Sequence, residues 1–126
     1  MSKSHLVVLG AGPGGYSAAF HAADQGYKVT LVDASLKLGG VCLHSGCIPS
    51  KALLHIVGLL AETKQVKDRG IDFDDPRIDL KRLNKWKDEI ISNFSGGLDL
   101  LCKQRGINYV TGRGFFIDSN TIKTSE

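Results

Sequence analysis

Cysteine is scarce, with three in 126 residues, an odd and small number that excludes the dense disulfide framework of small secreted domains. Cys102 stands far from the other two, at helical spacing from Phe94 and Leu98, and reads as a buried core residue. Targeting signals are also lacking. The apolar run from Leu6 to Leu9 is too short for a signal-peptide core or a membrane span, and Met1 to His5 carries no Arg-rich pattern, so a cytoplasmic location away from membranes is expected. Charge of one sign is not in excess. The formal net charge is +3 and the pI near 8.8, and Lys81, Arg82, Lys85 and Lys87 are interleaved with Asp79, Asp88 and Glu89. That pattern makes a solvated helix face and excludes a nucleic-acid stripe. There is no internal repeat, low-complexity tract or linker. With 42% hydrophobic and 23% charged residues, one compact domain with a real core is expected.

What the chain does have is glycine in a telling order. Leu6 to Leu9 is all apolar, as in a parallel strand covered on both faces. Gly10-Ala11-Gly12-Pro13-Gly14-Gly15 follows at once. In this Gly-x-Gly-x-x-Gly pattern Gly10 makes the tight turn, Gly12 lets the backbone approach a pyrophosphate, and Gly15 lets helix and strand pack closely. Tyr16 to Gln25 reads as a helix rich in small residues and stopped by Gly26, and Lys28 to Val32 as a second strand ending at Asp33, 18 residues after Gly15. A carboxylate there can accept both hydroxyls of an adenosine ribose and would repel a 2′-phosphate, which points to FAD or NAD. Strand, glycines, helix, strand and acid stand in the order a dinucleotide site requires.

A second feature runs from Gly39 to Lys51: Gly-Gly-Val-Cys-Leu-His-Ser-Gly-Cys-Ile-Pro-Ser-Lys. Residues five apart in a regular helix lie about 8.7 Å apart at Cα, whereas a disulfide rarely spans more than about 7 Å. For Cys42 and Cys47 to pair, the backbone must leave regular helix between them, and Gly46 and Pro49 allow that. Pro49 suits the first position of a following helix. Cys47 would then sit at a helix N-terminus with Lys51 nearby, and both favour its thiolate. A redox disulfide is the first reading. The bland alternative is a stapling disulfide, which in a loop this small stabilises by only about 2 kcal/mol.

Downstream, the helix from Pro49 should fray between Glu62 and Asp68, and the acidic stretch Asp72 to Pro76 should be loop. A long helix is expected from Asp79 to Gln104, with Leu80, Leu83, Ile90, Ile91, Phe94, Leu98 and Leu101 on one face, Trp86 packed on it, and a kink or close contact at Gly96-Gly97. Ile107 to Val110 reads as a third parallel strand continued through Thr111 to Ile117, with Gly114 free to approach a ligand. Asp118-Ser119-Asn120 is turn chemistry before a strand at Thr121 to Thr124. His5, His21 and His55 have no second ligand at metal spacing and default to surface or packing roles. His44 between the cysteines invites a base or zinc reading, but no fourth donor stands at short spacing, so no metal is expected.

A dinucleotide fingerprint, a ribose carboxylate and then Cys-x4-Cys-Ile-Pro-Ser-Lys resembles the flavin-dependent pyridine nucleotide-disulfide oxidoreductases. Isoleucine after the second cysteine and the following Ala-Leu-Leu-His are nearer to the dihydrolipoamide-oxidising members than to glutathione or mercuric reductases, where valine commonly replaces the isoleucine. The likeness covers essentially the whole chain, including Gly96 to Leu98 and Gly112-x-Gly114.

The resemblance implies an α/β, Rossmann-like FAD-binding domain: a parallel sheet with flanking helices and the start of an antiparallel meander. It implies that residues 1–126 are the N-terminal portion of that domain, truncated, with NAD and dimerisation domains absent. By the same resemblance Cys42 is the interchange thiol and Cys47 faces the flavin. Lys51 lies near the flavin, Gly10, Gly12 and Gly15 hold the FAD pyrophosphate, Asp33 holds the ribose, and Gly114 contacts the cofactor by its backbone. The implied reaction oxidises dihydrolipoamide, carried on a lipoyl domain of a 2-oxoacid dehydrogenase or glycine cleavage complex, and passes hydride through FAD to NAD in a homodimer. Another flavin disulfide reductase or a non-catalytic nucleotide-binding module is the competing reading. Two substitutions depart from the family: Asp33 stands where glutamate is usual, and His44-Ser45 where Asn-Val is more usual. A further departure is that the family's His-Glu base lies in a domain these residues do not include.

Overall fold

A computed structural model describes residues 4–125; the reading of Met1 to Lys3 lies outside them. The elements are β1 (His5–Leu9), α1 (Pro13–Asp24), β2 (Lys28–Asp33), α2 (Gly40–His44), α3 (Cys47–Gln65), α4 (Leu80–Gln104), β3 (Asn108–Thr111), β4 (Gly114–Phe116) and β5 (Ile122–Thr124). The first three of these strands form a parallel sheet in the order β1-β2-β3, with Val7 opposite Thr30 and Val32 opposite Val110. Parallel neighbours need crossovers, and α1 and the α2–α4 segment supply them. This is a Rossmann-like α/β arrangement.

Helix α1 begins at Pro13, three residues earlier than its sequence pattern indicates, because proline fits the first turn and Gly12 takes the capping position. It ends at Asp24, and Gly26 just beyond, with a left-handed φ of 82°, donates its N–H to the Ala23 carbonyl while the Tyr27 N–H reaches Ala22. Ala19 and Ala22 are buried and bring α1 close to Val29 and Leu31 of the sheet. Leu38, Cys102 and Ile107 complete this core, so the expected burial of Cys102 holds. Arg105 ties α4 to α1 by an ion pair with Asp24 at 2.9 Å, its guanidinium stacked over Phe20. On β1 the expected two-sided cover is incomplete among the described residues: Val8 packs on the core, while Leu6 and Leu9 remain about two-fifths exposed.

Four boundaries differ from expectation for local reasons. Helix α3 starts at Cys47, with Pro49 third, where a backbone N–H still has no partner within the helix. Past Gln65, where fraying was expected, the chain tightens into a 3-10 turn, Val66–Arg69, that stops at Gly70 with φ 83°. Helix α4 is capped by the Asp79 carboxylate, which accepts from the Arg82 N–H at 3.0 Å, and it runs unbroken through Gly96 and Gly97. A Cβ at either glycine would meet nothing within 4 Å, so neither a break nor a close contact occurs there among the described residues. Beyond β3 the strand does not continue. Gly112, at φ 155°, turns the chain, and β4 pairs antiparallel with β5 in a separate sheet. The connection is the expected turn, with the Asn120 N–H donating to the Asp118 carboxylate at 2.8 Å.

One stretch among the described residues, 40–69, is long and apolar enough by composition to cross a membrane, with mean hydropathy 1.2. Its backbone breaks at Ser45 and Gly46, however, and α3 packs along α4. The stretch is therefore not one continuous helix.

Close packing at Gly15 gives a stability test. A methyl there would drive into the Gly10 carbonyl, whereas Gly58, within α3, is open on all sides. Gly15→Ala is expected to destabilise by roughly 3 kcal/mol or more, the upper end of overpacking costs. Gly58→Ala should stabilise by about 0.5 to 1 kcal/mol through helix propensity. Urea midpoints of the two variants check both, and a Gly15→Ala midpoint equal to wild type would refute the contact.

Candidate functional site

The site is assembled at the C-terminal ends of β1 and β2. Gly10 leaves β1 with φ 98° and donates its N–H to the Val32 carbonyl at 2.7 Å, which closes the tight turn over the strand pair. Gly12 caps α1 without a side chain, and no acidic residue occupies the first turn. The first N–H groups of α1 therefore keep their positive field and their space: a Cβ at Gly10, Gly12 or Gly14 would meet nothing within 4 Å. Asp33, at the end of β2, holds this turn. One carboxylate oxygen accepts the Ala11 N–H at 2.6 Å and the other the Ser35 N–H at 2.7 Å. Ser35 is held in turn by the Tyr109 hydroxyl, which donates to its carbonyl at 2.7 Å. Burial first, and the Asp33 charge second, push that phenol up to about 12.

The cysteine segment lies directly on the glycine turn. The Gly39 N–H donates to the Ala11 carbonyl at 2.9 Å, and Gly40 approaches so closely that a Cβ would stand 2.8 Å from the Gly12 Cα. Gly39 and Gly40 have φ of 117° and 60°, a reversal that L side chains strongly disfavour. The segment leaves regular helix between the cysteines as expected, but it does so as two helices. Cys42 lies in α2, the chain breaks at Ser45 and Gly46, and Cys47 opens α3. The two cysteines stand as free thiols hydrogen-bonded to each other, Cys42 half-buried and Cys47 exposed. The His44 imidazole is engaged elsewhere: its Nε2 lies 2.8 Å from the Leu38 carbonyl, to which it can only donate. That bond occupies one ring nitrogen, and among the described residues no group of three or more His, Cys, Asp or Glu is placed to hold a metal ion.

Residues 4–126 match the family described as pyridine nucleotide-disulphide oxidoreductase. The chain belongs to this family. It is 46% identical over 121 residues to dihydrolipoyl dehydrogenase of Vibrio cholerae, covering 96% of this chain and 26% of that protein. It is 40% identical over 121 residues to dihydrolipoyl dehydrogenase of Geobacillus stearothermophilus, with the same 96% and 26% coverage. With dihydrolipoyl dehydrogenase 2 of Haloarcula marismortui the identity is 38% over 122 residues, 97% of this chain and 25% of that protein. The chain thus spans about a quarter of the length of these relatives.

Within this member of the oxidoreductase family the two thiols are electrostatically unequal. The hydrogen bond that Cys42 donates lowers the Cys47 thiol below its usual range, and the Lys51 ammonium, one turn along α3, lowers it further. The same bond, aided by burial, raises Cys42. Of the two, Cys47 is the thiol whose ionisation this arrangement favours. Beside Cys42 opens a largely apolar cavity of about 430 Å³, walled by Pro13, Tyr16, Ile48, Phe94 and Leu98 and by the bare backbone of Gly97. Sequence reading missed Tyr16 and Phe94 as site residues, because each has the helical spacing of an ordinary packing residue. Gly114 is pressed against Leu9 and Val32, which supplies a packing reason for glycine there.

The thiol asymmetry gives an ordered outcome. Followed by thiolate absorbance in the ultraviolet, the titration midpoint of Cys47 should rise toward that of an ordinary cysteine in Cys42→Ala, and rise less in Lys51→Met, because the hydrogen bond outweighs the ammonium. Sign follows from charge: each change removes a group that favours the anion. A midpoint unmoved in Cys42→Ala would refute the bond.

Proposed function

We propose that these residues are the N-terminal portion of an FAD-binding domain of a cytoplasmic dihydrolipoyl dehydrogenase. The observation that carries this is the junction of the two motifs: the dinucleotide turn and the cysteine pair are hydrogen-bonded neighbours through Gly39 and Ala11. A cofactor bound at the one reaches the other. FAD fits the open N-terminus of α1, where Gly10, Gly12 and Gly15 would take the pyrophosphate. Asp33, with a lone pair left on each oxygen beyond its backbone bonds, would take the adenosine ribose. Lys51 would lie near the flavin and Gly114 would add a backbone contact.

When bound, FAD supplies a two-electron acceptor that passes hydride to NAD. The chain's own residues supply thiol exchange. With Cys42 and Cys47 joined as a disulfide, one sulfur of dihydrolipoamide would attack the Cys42 sulfur beside the apolar cavity, breaking the S–S bond and releasing Cys47 as a thiolate that Lys51 favours. The second substrate sulfur would then displace Cys42, closing the lipoamide disulfide and leaving both cysteines reduced. The cavity suits the hydrocarbon part of a lipoyl group, presented on a lipoyl domain of a multienzyme complex. The second dinucleotide site and the dimer belong to the longer protein of which these residues would be a quarter.

Equilibrium titration with FAD, followed by flavin fluorescence, tests the cofactor assignment. Asp33→Ala should weaken binding by about 1.5 to 3 kcal/mol, the value of a charge-assisted hydrogen bond, and unchanged affinity would remove Asp33 from the site. Two-electron reduction of the flavin-loaded protein should give long-wavelength absorbance in Cys42→Ser and none in Cys47→Ser; the opposite result would reverse their roles. The 126 residues alone hold one glycine fingerprint and should not turn over dihydrolipoamide with NAD. Turnover near that of a full-length relative would overturn the assignment of NAD to a second site.

A further inference from the structure

Helix α2 has five residues, far below the length at which a helix sustains itself, and its cap residue Gly39 has no side chain to bond the first turn. Something outside the helix must hold it, because it carries Cys42. Three tethers are present. The Leu43 side chain is buried, and the Gly39 N–H is fixed to Ala11 at the start. At the end, the last residue, His44, reaches back past the whole helix to the carbonyl of Leu38, the residue before the cap. Leu38 is itself fully buried in the core. The ring therefore closes a loop from Leu38 to His44 with Cys42 inside it, and the break to α3 follows immediately at Ser45.

From this we infer that His44 is a positioning residue for the cysteine pair, locking α2 to Leu38 so that the Cys42 thiol is held against Cys47. This rests on the redox reading of the pair given above. The tether depends on reach. The side-chain nitrogen of glutamine can take the place of Nε2, whereas that of asparagine, the more usual residue here in the family, corresponds to Nδ1 and falls short of Leu38. The lock therefore belongs to this chain's histidine and is not a general property of the motif.

Thiol–disulfide equilibrium with glutathione reads the positioning directly, without FAD or substrate. In the balanced exchange the S–S bond of glutathione disulfide breaks, one between the Cys42 and Cys47 sulfurs forms, and the two thiol protons pass to two molecules of glutathione. Its equilibrium constant measures how well the chain holds the two sulfurs together. The purified chain and its His44→Gln, His44→Asn and His44→Leu variants are equilibrated in glutathione buffers, trapped by alkylation and quantified by mass. The glutamine variant should match wild type. The asparagine and leucine variants should lose about tenfold in the constant, or about 30 mV for a two-electron couple. Glutamine and asparagine carry the same amide at different reach, and leucine, a better helix former than asparagine but with no donor, separates loss of the bond from loss of helix propensity. All variants equal to wild type, or glutamine as weak as asparagine, overturns the inference. A wild-type chain that does not exchange at all overturns the redox reading beneath it.

Discussion

The backbone contact between the cysteine segment and the glycine turn governs the architecture of this site. The Gly39 N–H meets the Ala11 carbonyl, and Gly40 lies on Gly12 with no room for a side chain between them. Gly40 is glycine on two counts, its left-handed conformation and the Gly12 Cα that stands 2.8 Å from where a Cβ would be. From this contact follow the position of α2 across the start of α1, the closeness of Cys42 to the dinucleotide turn, and the apolar cavity between α1, α2 and α4.

Asp33 keeps that arrangement in register. Its carboxylate binds one N–H from the glycine turn and one from the segment leading to the cysteines, so a single side chain at the end of β2 links both halves of the site. The backbone reinforces the link, since the Asp33 carbonyl accepts from Gly112 at 2.8 Å and brings the end of β3 alongside. A carboxylate one methylene shorter than the family's usual glutamate is well matched to these backbone bonds. The positive field at the start of α1 stays available, because no side chain in the first turn neutralises it.

The inequality of the thiols arises from the break between α2 and α3. A continuous helix would hold the two sulfurs apart, whereas the turn at Ser45 and Gly46 folds them into contact. Gly46 is confined there, since a Cβ would come within 3.0 Å of the Val41 carbonyl. Cys47 then has the helix start, the Cys42 proton and the Lys51 charge on its side, and Cys42 has partial burial against it.

Much of this was legible in the residues. Apolar runs, glycines and the acid at Asp33 determined the strand–helix–strand unit, because their spacing is set by backbone geometry that any chain must obey. Two cysteines flanking Gly46 determined that helix had to fail between them. The sequence did not show that it fails as two helices, that the strand after Thr111 stops at Gly112, or that α4 continues without a break through Gly96 and Gly97. Nor did it reveal Tyr16 and Phe94 sharing a cavity with Cys42, or the His44 ring bonded to the Leu38 carbonyl. Local pattern fixes which face of an element is apolar and where the backbone can turn. Which atoms from distant elements come within bonding reach is decided only when those elements pack, and the site's cavity, its tethers and the unequal thiols all depend on such contacts.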